Sequence, residues 1–465
     1  MPALVRRVVA GGLLAALVAC SSDASDGEPA TAPTSPPPSP SSGQSSEAGL
    51  PQATQPLVLV AHHTRGELRM SAGLARRIER GRVASWRPVD GSGDPLRLVP
   101  SLGEVTHDRN AVAVLGAARV RPWVRAVVVG GVDPLRDPDR YPLRTGGPAP
   151  GAVTTVTLVG DIMLGRGVAA VAPPGDPVAP LRPLRRHLAA ADLTVGNLES
   201  TLSDDGPPQQ GSDSFAAPPA VADGLAGLGL EAVSLANNHT GDYGEAALID
   251  TLTTLRRSPL KAFGAGADRP AAARPVVLRH GGVSFGFVGF NAIGETPRAT
   301  PTTPGALSVR MPPRTGPLNS SDLAYAERLV RRLDRRVDVV VVVPHWGTQY
   351  THDAEPVQSL VARRLADAGA DLVVGGHPHW TQGLERAGTT VVAHSLGNLV
   401  FDMDFMEQTM EGVTLTATFW DDRLMGIQLA PYRMDAGFAP HLISGPTGDA
   451  ILDDVWANST GPFSD

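Results

Sequence analysis

Asp371-Leu372-Val373-Val374-Gly375-Gly376-His377-Pro378-His379 is the stretch on which the reading of this chain turns. Residues 371–374 form a short strand-like run ending in two β-branched valines, of the kind that makes a buried parallel strand. Two glycines then let the backbone leave the sheet, and two imidazoles follow at i and i+2. On an extended chain these side chains lie on one side and reach one pocket. If Gly376 and Pro378 shape a turn, the rings splay toward two neighbouring ions. Core packing has no need of two histidines here. The same arrangement repeats outward along the chain: residues 155–160 end in Asp161, 192–195 in Gly196-Asn197-Leu198-Glu199, 232–235 in Asn237-Asn238-His239, and 337–343 in His345-Trp346-Gly347. Ligands of open α/β sheets bind outside the carboxyl ends of the strands, so these clusters are expected to meet at one sheet edge. Asp, Glu and neutral imidazole are ligands for Mn, Fe or Zn. The pattern predicts an α/β fold carrying a metal site with two divalent ions.

Each cluster offers particular chemistry. Asp161 follows Gly160 at a strand end, where it can serve as a ligand or cap a helix. Asn197 presents an amide oxygen, and Glu199 can bridge two cations. Asn238 can ligate through its own amide oxygen, while the adjacent His239 can donate to a phosphoryl or carbonyl oxygen. Asp242, three residues on, can hold that imidazole in one tautomer. The same Asn- and Gly-rich segment also suits a purely structural turn. His345 stands where the most hydrophobic run leaves the sheet, which favours a ligand over a core histidine.

The chain has 465 residues, 42% of them hydrophobic, enough for one large domain and a smaller one. A net charge of -7 gives no reason to expect nucleic acid as a partner. Lys261 is the single lysine and Cys20 the single cysteine, so no internal disulfide is possible. Arg6 and Arg7 precede an apolar run over 8–18, and Leu17-Val18-Ala19-Cys20 then resembles a bacterial lipobox. Residues 1–20 are therefore expected to be a lipoprotein signal peptide, with Cys20 lipidated and the product anchored by lipid to the extracytoplasmic face of the cell membrane. Residues 21–55 are rich in Ser and Pro and form a disordered spacer.

Residues 56–146 read as a smaller N-terminal α/β region, with strands over 57–61, 111–115 and 125–129 and a helix over 70–81. His62-His63 reads as a solvated strand end. Helices are expected over 181–190, 220–228, 244–257, 321–335 and 356–368, a Pro- and Thr-rich loop over 301–319, and a closing hairpin from 413–419 and 424–429. The main domain spans 152–435, and 436–465 is left as a C-terminal tail.

Gly160–Leu164 (GDIML), Asn197–Ser200 (NLES), Leu235–Gly244 (LANNHTGDYG), Pro344–Gly347 (PHWG), Gly375–His379 (GGHPH) and Ser395–Asp402 (SLGNLVFD) resemble, in this order, the CapA branch of the calcineurin-like metallophosphoesterases. CapA proteins are associated with poly-γ-glutamate capsule synthesis. The resemblance covers roughly residues 153–404. It implies a four-layer αββα metallophosphoesterase-like sandwich with metal-binding loops at one edge. By motif, Asp161 and His379 serve one metal and Asn238, His345 and His377 the other. Asn197 or Glu199 bridges or flanks them, and His239 is the catalytic histidine. The chain departs from the phosphoesterase pattern twice. Met163 stands where the first motif carries a histidine, and Asn197 or Glu199 replaces a bridging aspartate.

Two functions fit. One is a dinuclear metal hydrolase acting on a phosphoester or a γ-glutamyl amide, with Arg166, Arg298 and Arg310 available for an anionic polymer. The other is a non-catalytic lipoprotein that binds polymer or works with other capsule-synthesis proteins around a structural metal. His352 and His394 are lesser ligand candidates.

Overall fold

The computed structural model describes residues 53–203 and 205–464. The expected signal peptide, Cys20 and nearly all of the spacer lie outside the described residues. The described residues belong to one compact unit, and none of their helices is long and apolar enough to cross a membrane.

Strands and helices alternate from residue 153 onward to give a mixed α/β fold with two principal sheets. The first runs Lys261–Phe263, Ala232–Ser234, Leu193–Leu198, Val153–Ile162, Glu411–Trp420, Arg423–Met434, Pro440–Leu442, with Asn398–Val400 also pairing Val153–Ile162. Its first four strands are parallel, and the closing hairpin is antiparallel. The second runs Val276–His280, Val283–Asn291, Val339–His345, Leu372–Val374, Thr390–Ala393, Leu384–Ala387. Its middle is parallel.

Side-chain alternation along a strand sorts these sheets into layers. Val156, Leu158 and Val195 of the first sheet share one apolar core with Phe285, Phe287, Val341 and Leu372 of the second. Alternate residues of the first sheet, Val159, Ile162 and Val233, pack with Leu225, Leu248 and Leu255 from helices. Those of the second, Val288, Val340, Val342 and Val373, pack with Leu323, Leu333, Val361 and Leu365. Both faces of both sheets are thus apolar, which is why the strands read as continuous runs without a polar alternation.

The helices follow their sequence signals. Gly244–Arg257 is found where expected. Ser320–Asp334 starts at Asn319, whose side chain accepts the Asp322 N–H, and buries Leu323, Ala326, Leu329, Val330 and Leu333. Pro356–Ala366 opens with a proline in its first turn and a Glu355/Gln358 capping box. The helix expected over 181–190 is instead a 3₁₀ segment, Ala179–Leu184, followed by one α-turn, Arg185–Leu188. Pro183 falls inside the segment and disfavours the α conformation at Arg182 before it.

The strand Val283–Asn291 has no counterpart in the sequence reading. Gly286 and Gly289 interrupt its apolar run, yet a Cβ at Gly286 would lie 2.8 Å from Leu333 Cδ1, and one at Gly289 2.7 Å from Val343 O. Both glycines permit close packing. The loop over 301–319 contains one short strand, Gly305–Ala306, paired with Ala265–Gly266.

Residues 54–146 build a sheet of their own, in the order Arg97–Val99, Ala111–Gly116, Thr54–Ala61, Arg125–Ala126. The strand expected over 125–129 is split into Arg125–Ala126 and Val128–Val129. Val58, Val60 and Ala113 join the core shared by the two large sheets, and Trp420 Nε1 donates to Leu135 O at 2.7 Å. His62 and His63 are buried rather than solvated. His63 lies edge-on to Trp456 and Phe463, with ring centroids 5.1 Å away in each case. Trp456 belongs to the helix Pro446–Ala457, in the segment the sequence left as a tail.

Candidate metal centre

Strand register aligns the polar residues before any side chain is considered. In the first sheet Asp161 pairs with Asn197 and with Asn398 on the neighbouring strands. In the second, Asn291 pairs with His345, and His345 bridges to Gly376. Residues in register on adjacent strands sit about 5 Å apart. Each sheet therefore offers a row of polar side chains at the carboxyl ends of its strands.

The rows and their following turns produce two donor groups. Glu199, His345 and His377 form one, and Asp161, Glu199 and His379 the other, with ligand atoms within 4.8 Å of one another in each. Glu199 belongs to both. His345 Nε2 lies 2.8 Å from Asn238 Oδ1 and 3.3 Å from Glu199 Oε1, so Asn238 faces the first group. His377 and His379 are not on an extended chain. Their φ angles are 96° and 58°, a left-handed turn that is costly for non-glycine residues. The turn separates the ring centroids by 5.7 Å and sends each ring to a different group. Asp161 Oδ2 helps hold it by accepting the His377 N–H at 3.0 Å.

Asn197 is placed differently from its expected role as an oxygen ligand. Asn237 Oδ1 accepts the His239 and Thr240 N–H groups, which forces its NH₂ toward Leu198 O and Asn197 Oδ1. With its oxygen so engaged, Asn197 turns its own NH₂ to Asp161 Oδ1 at 2.8 Å and His345 Nδ1 at 3.3 Å. Its NH₂ thus faces two residues of the expected ligand set, Asp161 and His345. Asn398, absent from the sequence-derived site, faces His379 through its oxygen. Its Nδ2 donates to Thr409 O, which aims Oδ1 at His379 Nδ1, 2.8 Å away. Its signal was the SLGNLVFD segment, in which only the register with Asp161 picks out the asparagine.

His239 and Asp242 form a pair beside the donor groups. Nδ1 is 2.7 Å from Asp242 Oδ2, and Nε2 is 3.9 Å from Glu199 Oε1. Asp242 also accepts from Phe215 N and Gln210 Nε2. The Phe215 ring stacks on His239 at 3.7 Å, and the Arg166 guanidinium lies 4.3 Å from the Phe215 centroid. Neither Phe215 nor Gln210 had a sequence signal.

The sequence profile described as Bacterial capsule synthesis protein PGA_cap matches residues 155–403. This chain belongs to the PGA_cap family. The Capsule biosynthesis protein CapA of Bacillus anthracis is 31% identical over 290 residues, which cover 61% of this chain and 68% of that protein. The PGA biosynthesis protein CapA of Bacillus subtilis is 30% identical over 254 residues, covering 54% and 64%. The PGA_cap match spans every residue placed at the site, from Asp161 to Asn398.

The residues of the PGA_cap site fit a divalent metal. Neither oxygen of Glu199, neither ring nitrogen of His377, nor Nε2 of His379 has a hydrogen-bond partner, although all are buried. Polar atoms buried in this way are costly unless something else satisfies them. Burial, reinforced by the Asp161 carboxylate, holds Glu199 well above the usual carboxylate range. Burial lowers His345 to about 4. Burial and the neighbouring imidazoles hold His377 well below its ordinary value. His345 and His377 are thus favoured as neutral rings, as ligands must be, and burial disfavours the charged form of Glu199 without a cation beside it. Burial also holds His239 low and pushes Asp242 up to about 8, against the hydrogen bonds of Phe215 and Gln210.

Other candidates lie outside the two donor groups. Arg298 and Arg310 both close on Asp322, and Arg166 pairs with Asp402. His352 contacts Thr381 O, and His394 contacts Glu385. Neither histidine belongs to a donor group.

Proposed function

We propose that this PGA_cap protein is a metal-dependent hydrolase of capsule or poly-γ-glutamate metabolism, acting on a phosphoester or a γ-glutamyl amide. The layered cores support a four-layer αββα sandwich with the site at one edge. The carrying observation is the meeting of two donor groups at the shared, unpartnered Glu199, with His239 Nε2 facing the same carboxylate. Two divalent ions, Mn, Fe or Zn, would be held by Asp161, Glu199 and His379 on one side and by Glu199, Asn238, His345 and His377 on the other. When bound, such ions activate water and stabilise negative charge on oxygen. His239, fixed by Asp242, moves or donates a proton at Nε2 beside the scissile group. Phe215 keeps the ring from rotating. Asn197 and Asn398 hold Asp161, His345 and His379 in place. We place the protein on the extracytoplasmic face of the membrane through Cys20, beside other capsule-synthesis proteins.

One observation favours a second reading, a polymer-binding lipoprotein with a structural metal. Met163 replaces an imidazole and is fully buried in the apolar cluster, so the donor set is one ligand short of the phosphoesterase pattern. The deciding measurement is metal content by elemental mass spectrometry on a chain beginning near Gly49, purified without chelator or histidine tag. About two transition metals per chain, lost in a His377→Ala/His379→Ala double variant, supports the hydrolase. No metal, and no uptake of Mn, Fe or Zn, overturns it.

A further inference from the structure

Away from the metal centre, the two large sheets end in edge strands that belong to separate hydrogen-bonded ladders. Lys261–Phe263 closes one edge of the first sheet and Val276–His280 one edge of the second. Between these edges opens a cavity of about 320 Å³, in the size range of small-molecule sites. Leu252 and Leu255, from the helix Gly244–Arg257, supply its apolar wall. The residues facing them are small, among them Ala262, Ala265 and Gly266, so no side chain of the protein fills the space. Gly266 cannot be larger, because a Cβ there would lie 2.3 Å from Ala272 N.

The mouth of this cavity is basic. Arg256, Lys261 and Arg274 line it, and all three are exposed. No carboxylate lines it. Arg256 donates to Thr253 Oγ1, and among the described residues none of the three cations makes an ion pair. Three cations thus ring one apolar opening, and no carboxylate stands among them. A bare anion would leave the apolar wall unused, and an uncharged hydrocarbon would leave the cations unused.

We infer that this cavity binds an oxyanion carried on an apolar arm, its carboxylate or phosphate head at Arg256, Lys261 and Arg274 and its aliphatic chain against Leu252 and Leu255. None of these residues belongs to the metal centre, so the site does not depend on the hydrolase reading.

The test is calorimetric titration of the full chain with octanoate and octyl phosphate. One saturable site is expected, and affinity should rise about fourfold per methylene along the series from butanoate to octanoate. Acetate, inorganic phosphate, octanol and octyltrimethylammonium should each bind at least tenfold more weakly. The tighter of the two octyl anions identifies the head group. Ala267→Trp, at an exposed lining position, should block the cavity, and Lys261→Gln/Arg274→Gln should remove the head contacts. Each should weaken octanoate at least tenfold with the melting temperature unchanged. Four results would each overturn the inference: no saturable binding of either octyl anion, octanol binding as well as octanoate, acetate or phosphate binding as well as octanoate, or undiminished binding by the folded variants.

Discussion

Replacing Glu199 by glutamine should make the metal-free protein more stable and abolish its stabilisation by metal. Glu199 is fully buried, its oxygens have no donor, and burial beside Asp161 raises its folded-state value well above 4.5. A carboxyl group raised in the folded state contributes stability that is fully present below its unfolded value, near 4.5, and is lost as pH rises through the folded value. In that window one proton is at stake, so the loss is about 1.4 kcal/mol per pH unit. As pH rises above 4.5 the wild type should therefore lose stability relative to Glu199→Gln, which has nothing to ionise, until the raised folded-state value is passed. Urea unfolding in chelator, followed by tryptophan fluorescence at several pH values, measures it. With metal at about a hundred times its dissociation constant, the wild type should regain about 2.7 kcal/mol and the glutamine variant much less. Parallel pH profiles for the two proteins in chelator, or a variant less stable than wild type at pH 7.5, would refute the claim that Glu199 is an uncompensated buried carboxylate awaiting a cation.

Asp242→Asn should keep the fold and lower hydrolysis by about 10²–10⁴-fold, since it leaves His239 in place but removes the carboxylate that sets its tautomer; steady-state kinetics against a melting curve separates the two effects. Asn197→Asp should destabilise the metal-free protein by about 1–3 kcal/mol, because it sets a second carboxylate where an NH₂ now meets Asp161 Oδ1 at 2.8 Å; chemical denaturation in chelator reads this out. Leu333→Ala should cost about 2–5 kcal/mol by opening a cavity in the core between the second sheet and its helices, with metal content unchanged. Glu385 is held at about 2, where hydrogen bonds from His394, Ser359 and Arg363 outweigh the opposing effect of burial. Its contribution should be complete above pH 4.5 and lost as pH falls toward 2, so Glu385→Gln should flatten the acid limb of the stability profile.

How much of this was legible in sequence depends on whether a signal is local. The run of valines before His345, and Asn319 ahead of Leu323, Ala326 and Leu329, are local patterns that physics translates directly into a strand end and a capped helix. Asn398 and Phe215 are not. They reach His379 and His239 only because Asn398–Val400 pairs in register with Asp161 and because Asp242 accepts the Phe215 N–H. The strand Val283–Asn291 was hidden by glycines whose purpose, room for Leu333 and for the neighbouring strand, exists only in the folded packing. His62 and His63 were misread as solvated because the aromatic residues that cover His63 lie almost 400 residues further on, near Trp456.

Asn197 shows why composition alone could not assign the ligands. An amide side chain carries a donor and an acceptor of nearly equal size, and which one faces the metal site is decided elsewhere. Here the decision begins at the backbone. The turn after Ala232–Ser234 presents the N–H groups of His239 and Thr240, which fix Asn237, which fixes Asn197, which holds Asp161 and His345. Asp161 belongs to one sheet and His345 to the other. Asn291 strengthens the same crossing, since its Nδ2 donates to Asn237 O from the second sheet. The asparagines thus join the two sheets independently of any ion, and within the donor groups Glu199, His377 and Nε2 of His379 are left without partners. It follows that removing metal should cost stability at those three residues without separating the sheets. A chelated protein that keeps its near-ultraviolet circular dichroism while losing thermal stability is the expected result. Loss of tertiary signal on chelation would show that the asparagine network does not suffice and that the ion itself joins the sheets.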